Sequence, residues 1–238
     1  RMLGFFYILV CVLFGRILCK VLLKDVNRIV REAQVPAFLV KLPAWYLTGS
    51  LITTWMVYLV SYLFAGAEKP MLYGNLIVLL FLSAAVVAFY LIFERKSYTA
   101  LQTEDIVAFF DGRTKEKAGD LRPLYFVLIA FAFVSYLMFL TLHCKDGSTY
   151  VGFSVFSDFA PHLGMIRSFS ASNNFPTQYA HFAGEDIRYH FMFQFMVGNL
   201  EFLGMRLGYA FNIPSILGLV AVYMLLFVLV VRITKSRL

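Results

Sequence analysis

The stretch Tyr189-His190-Phe191-Met192-Phe193-Gln194-Phe195-Met196-Val197-Gly198-Asn199-Leu200-Glu201-Phe202-Leu203-Gly204 decides the fold. It is apolar enough to pass for a membrane helix. Its sixteen residues, however, rise only ~24 Å at ~1.5 Å per residue, short of a ~30 Å hydrocarbon core. Its polar side chains also align: at ~100° per residue, His190, Gln194 and Glu201 fall within ~40° of one another. A polar stripe on an apolar rod describes a helix lying in the membrane interface. The stretch is therefore read as part of a loop.

The rest of the chain is membrane-like. Hydrophobic residues make up 61% and charged residues 15%, against about 45–50% and about 25% in a soluble domain. The net charge of +7 does not point to nucleic acid, because the basic residues cluster at the ends of apolar segments, where topology accounts for them. Of the three cysteines, Cys11 and Cys19 fall in the first apolar segment and Cys144 at a helix mouth, so no disulfide framework is implied. The chain opens on Arg1 and closes on Ser236-Arg237-Leu238 directly after an apolar run, which reads as a piece of a longer protein.

The expected fold is an all-α polytopic membrane protein with about five transmembrane helices and a long extracytoplasmic loop carrying short interfacial helices. Residues 1–122 are read as an N-terminal membrane region, with spans at about 2–23, 44–65 and 74–93 and a solvated cytoplasmic connector at 94–122. Residues 123–238 supply a span at 123–142, the loop 143–209 with its interfacial helix 189–204, and a span at 211–231. Arg16 and Lys20 are placed near the cytoplasmic end of the first span, from which their side chains snorkel. A short surface helix is expected within 25–42, broken near Pro36 and Pro43, and Thr103-Glu104-Asp105 opens another. With 189–204 out of the bilayer, residues 16–43, 94–122 and 232–238 share one side and hold fifteen of the twenty-one Lys and Arg. The positive-inside bias makes that side cytoplasmic, with the protein multi-pass in a plasma or cytoplasmic membrane and the loop outside.

The loop holds all four histidines, His143, His162, His181 and His190. Ser157 is a good N-cap and Pro161 is tolerated in a first turn, so a helix is expected from about Asp158 to Ser170. Asp158 and His162 then share a face one turn apart. A carboxylate there suits orienting a histidine, holding a divalent cation or acting as a base, and equally suits helix capping. Asn173-Asn174-Phe175-Pro176 reads as a turn. Glu185 and Asp186 are paired carboxylates suited to a cation or sugar hydroxyls and equally to a solvated loop, and Arg188 suits a phosphate oxygen. His190 begins the interfacial helix on the side of these carboxylates, and Gln194, on the same polar stripe, is taken with it as substrate-binding. No zinc spacing, glycine-rich phosphate loop or Gly-x-Ser-x-Gly elbow is present.

The order of parts resembles a known family. A span is followed by a long external loop with an early Asp158, an Asn174-Phe175-Pro176 turn, a helix ending in Leu203-Gly204, an Arg206-Leu207 step and a span with a basic exit. This resembles the first external loop and its flanking helices in the GT-C superfamily, which includes the protein O-mannosyltransferases and the lipid A aminoarabinose transferases. The resemblance covers about Leu124 to Leu238 and implies an N-terminal fragment of a transferase, inactive alone. It implies a polyprenyl-phosphate sugar donor and a glycan, lipid or protein acceptor. It further implies Asp158 as base or metal ligand with His162 beside it, and, if a metal is used, Mg or Mn. Many members carry two adjacent acids where this chain has Ser157-Asp158-Phe159. A non-catalytic scaffold or sensor whose loop binds a sugar or cation, or a transporter subunit, is the competing expectation. Ionisable groups are scarce within the second to fifth spans, which weighs against transport.

Overall fold

The computed structural model describes residues 2–23, 25–95, 103–114, 118–182 and 184–235. Among these, helix predominates: α1 (Met2–Val21), α2 (Val26–Ala33), α3 (Phe38–Leu63), α4 (Pro70–Phe89), α5 (Thr103–Asp111), α6 (Arg122–Thr141), α7 (Phe156–Ser172), α8 (Met192–Phe202) and α9 (Leu207–Thr234). A wider turn of helix, Tyr90–Glu94, prolongs α4. One hairpin, β1 (Leu142–Lys145) with β2 (Ser148–Val151), follows α6. The expected basic positions Lys24 and Arg237, and connector residues 96–102 and 115–117, lie outside the described residues.

Among the described residues, four helical stretches are long and apolar enough to cross a membrane: Met2–Val21, Pro70–Glu94, Arg122–Thr141 and Leu207–Thr234. The chain is thus an all-α membrane protein. On α6, Leu128, Ile129, Phe131 and Phe133 are all exposed, a surface that suits lipid and not water. Helix α3, at 26 residues, reaches ~39 Å but is less apolar. Its polar side chains turn inward. Thr53, Thr54 and Ser61 are buried, and Tyr7 Oη lies 2.9 Å from Thr54 Oγ1.

The chain forms two compact units. The first comprises Arg1–Val10, Ser50–Leu82 and Tyr136–Ser215; the second comprises Cys11–Gly49, Ser83–Ser135 and Ile216–Leu238. Helices α1, α3, α4, α6 and α9 each lend a stretch to both. In the second unit α1 and α3 cross at two glycines. A Cβ on Gly15 would collide with the Trp45 carbonyl, and one on Gly49 with the Cys11 carbonyl. Small residues let helix backbones meet this closely.

Several expectations are corrected here. Pro43 does not break its helix, because it costs α3 one backbone bond close to the start, while Pro36 does separate α2 from α3. The connector is not simply solvated. Phe110 packs on Phe38 at 5.5 Å between ring centroids, Phe109 stacks on Trp45 at 6.2 Å, and Asp111 is buried against Arg113 at 2.7 Å. The Arg113 hydrogen bond holds the Asp111 carboxyl below the usual carboxylate range. Its contribution is therefore complete at neutral pH and is lost only as pH falls through that lowered value. Arg16 and Lys20 do not simply snorkel; both reach Glu94 Oε1, at 2.7 and 3.0 Å.

The first unit contains a buried amide pair. Asn75 Nδ2 donates to Asn199 Oδ1 at 2.6 Å, and Asn199 Nδ2 returns a bond to Asn75 Oδ1 at 3.1 Å. Replacing one partner strands the other. Asn199→Leu should cost about 1–3 kcal/mol, and adding Asn75→Leu should recover part of the loss. Thermal unfolding of the three variants in detergent checks this; a double variant less stable than the single one would contradict the pairing.

Candidate functional site

The site belongs to the first unit and is built on α7 and α8. Helix α7 starts after Val155, with no side-chain cap, so Ser157 is not the expected N-cap but lies within the first turn. Asp158 lies in that turn, exposed, and makes no hydrogen bond or ion pair among the described residues. The capping role left open by the sequence thus has no bond behind it. Helix α7 ends at Asn173, which adopts the left-handed conformation at φ 50°. Asn174 then ties the chain back: its Nδ2 donates to Ser168 Oγ at 3.0 Å, and its Oδ1 accepts from Gln178 N at 2.8 Å. The rings of Tyr58, Phe169, Phe175, Phe191 and Phe195 pack at 5.2–6.2 Å beneath this turn. Tyr58 Oη also donates to Thr177 Oγ1 at 2.9 Å.

Helix α8 differs from the expected interfacial helix. It is shorter, Met192–Phe202, and Gln194 to Leu200 are buried without interruption. It is a core helix. A Cβ on Gly198 would come within 2.7 Å of the Ile166 carbonyl, so α7 and α8 touch backbone to backbone. The expected polar stripe is spent on packing. Ser170 Oγ donates to Glu201 Oε2 at 2.6 Å and Arg167 Nη2 lies 3.4 Å from Oε1, while His190 precedes the helix and is exposed.

Gln194 makes the contact that matters to the site. Its amide lies 2.7 Å from His162 Nδ1. With Oε1 accepting there, its nitrogen donates to the His190 and Phe191 carbonyls at 3.2 and 3.3 Å. All polar atoms of the amide are then used. This orientation puts a proton on Nδ1, so a neutral His162 carries its lone pair on Nε2.

Asp158, His162, His190 and Gln194 line one cleft of about 150 Å³, together with Pro161, Met165, Tyr179, Ile187 and Tyr189. Four of the seven expected site residues thus meet. The other three, Glu185, Asp186 and Arg188, line an adjoining hollow that shares Tyr179 and Tyr189 with the cleft. A backbone bond from Tyr179 N to Glu185 O (2.8 Å) and a bridge between Gln178 and Asp186 hold that segment in place. Arg188 lies 3.8 Å from Glu185, with side chains 86% and 66% exposed, a pair that contributes little to stability and leaves the guanidinium accessible.

Two histidines are placed elsewhere. His143 stacks on Tyr150 across the hairpin at 5.0 Å, and the His181 Nε2 lies 3.0 Å from the Pro161 carbonyl. Among the described residues no three His, Cys, Asp or Glu side chains come together to hold a metal ion. Sequence reasoning missed Tyr179 and Tyr189 as wall residues, and no local pattern marks them. A hollow of about 230 Å³ in the second unit is lined by Asp111, Asp120 and Arg122, but these are already engaged in ion pairs within their own turn.

Comparison with models of known families, with characterised proteins and with solved structures finds no match.

The Gln194 contact fixes an observable tautomer. Nitrogen NMR of histidine-labelled protein at alkaline pH should show His162 protonated at Nδ1, and Gln194→Leu should shift it toward the Nε2–H form. A wild-type signature of Nε2–H would contradict the assignment.

Proposed function

We propose that this chain is part of an integral membrane glycosyltransferase that moves a sugar from a polyprenyl-phosphate donor to an extracytoplasmic acceptor. One observation carries the reading: an unpartnered Asp158 carboxylate opens onto the same cleft as a histidine held in one tautomer. The likeness of the loop's order of parts to the GT-C superfamily supplies the reaction class.

In the proposed step the Asp158 carboxylate takes the proton of an acceptor hydroxyl. The acceptor oxygen forms its bond to the anomeric carbon as the bond from that carbon to the phosphate oxygen breaks. The phosphate leaves with the electron pair, and the exposed Arg188 guanidinium beside Glu185 is available to offset its charge. His162 borders the same space, oriented by Gln194, and Glu185, Asp186 and His190 offer hydrogen bonds to sugar hydroxyls.

The proposal includes five spans, with α3 as the fifth, and a loop outside the cytoplasm. Two observations favour it. Helix α3 lends a stretch to both units, as the four apolar helices do. The second unit also holds fifteen of the twenty-one Lys and Arg, the asymmetry expected of a cytoplasmic face.

A second reading, a loop that binds sugar without turnover, draws on the parallel rings of Tyr179 and Phe182, 5.7 Å apart and inclined by 11° beside the exposed carboxylates. Asp158→Asn separates the two. As a catalytic base its loss should lower glycan transfer by the full-length protein roughly 10²–10⁴-fold while leaving sugar binding in place. Unchanged transfer at normal expression would sink the proposed role.

The topology has its own check. Cys144 is exposed and free, so an impermeant thiol reagent should label it from outside intact cells. A cysteine at Thr114, in a Cys144→Ser background, should react only after permeabilisation. The opposite pattern would invert the topology.

A further inference from the structure

We propose that the second unit carries a separate anion site, a hollow at the junction of α1, α2 and α3 that takes the phosphate of an anionic lipid headgroup. Arg16, Lys20, Asn27, Lys41 and Trp45 line it, and it encloses about 230 Å³.

The charge balance argues for an anion. Arg16 Nη2 and Lys20 Nζ both donate to one oxygen of Glu94, whose side chain is 8% exposed. A single carboxylate therefore serves two cations. Lys41, partly buried, makes no hydrogen bond or ion pair among the described residues. Three cations against one carboxylate leave an excess of two positive charges around the hollow. Asp25 does not offset it, since it is paired with Arg28 at 3.3 Å. Desolvating unpaired charge is costly, and phosphate oxygens are the acceptors that ammonium and guanidinium groups match. The first turn of α2 contributes Val26 and Asn27 to the wall, so the positive end of a helix dipole adds to the same field.

A lipid source fits better than a soluble one. Arg16 and Lys20 close an apolar span, which is the level of headgroups in a bilayer. Leu23, Val26 and Trp45 interleave apolar and aromatic wall with the cations, as basic pockets between membrane helices do. None of these residues belongs to the Asp158 cleft, so the inference stands apart from the proposed activity.

Lys41 is the residue to test, because removing it breaks no bond to Glu94. The full chain, purified in detergent, is exposed to phosphatidylglycerol or phosphatidylcholine and the retained lipid is counted by native mass spectrometry. Wild type should retain phosphatidylglycerol preferentially. Lys41→Met should lower that retention roughly five-fold, the effect of about one juxtamembrane cation, and Lys41→Arg should restore it. Lys145→Met, which changes net charge equally on the exposed hairpin, should leave retention unchanged. Displacement of the lipid by millimolar inorganic phosphate would assign recognition to phosphate from any source; persistence of the lipid would assign it to the headgroup in its bilayer setting. Equal retention of both lipids, or equal losses from Lys41→Met and Lys145→Met, would overturn the site.

Discussion

A helix buried on every side must find a partner for each polar group it carries, and α8 meets that demand three times. Asn199 pairs with Asn75 from α4, Glu201 takes Ser170 and Arg167 from α7, and Gln194 takes His162 from α7. Apolar packing against α7 is non-directional and tolerates rotation of one helix about the other. The three polar contacts do not. They set the rotation and register of α8, and with it the place of Gln194 in the Asp158 cleft. Two of these residues, Gln194 and Glu201, belong to the stripe that looks solvated in sequence.

The cleft follows from that locking. Asp158 and His162 are one turn apart on a helix whose following turns are buried at Met165, Ile166 and Phe169. The second wall, Ile187 to His190, is held between the Tyr179–Glu185 backbone bond and the start of α8. An exposed carboxylate beside an oriented imidazole is thus a product of core packing one layer beneath. Gln194 works from below: it touches His162 and fixes which nitrogen bears the lone pair.

The apolar helices were legible in the sequence because lipid selects for long uninterrupted runs, and their ends fell within a few residues of those expected. Helix α3 was harder to bound, since Phe38 to Ala44 continues straight through Pro43. The loop was legible in content but not in packing. The helix at Asp158 and the shared face of Asp158 and His162 could be read from turn chemistry and spacing; the gathering of His190 and Gln194 into the same cleft could not. The burial of α8 could not, because a polar stripe has the same 3.6-residue period whether it meets water or partners in a protein core. The hairpin did carry a signal: Asp146-Gly147, both at positive φ, sits between Leu142–Lys145 and Ser148–Val151. That dipeptide was hidden inside a stretch already read as loop. The partners of Glu94 were invisible, since Arg16 lies 78 residues away along the chain.

That separation has a consequence for how the protein is made. A ribosome adding about 5–20 residues per second needs roughly 4–16 s to travel from Arg16 to Glu94. Through that interval Arg16 and Lys20 lack the carboxylate they share in the folded chain. Only when the end of α4 emerges can α1 settle with its charge neutralised. The contacts of Arg16 and Lys20 with Glu94 can therefore form only after a later membrane helix has been made.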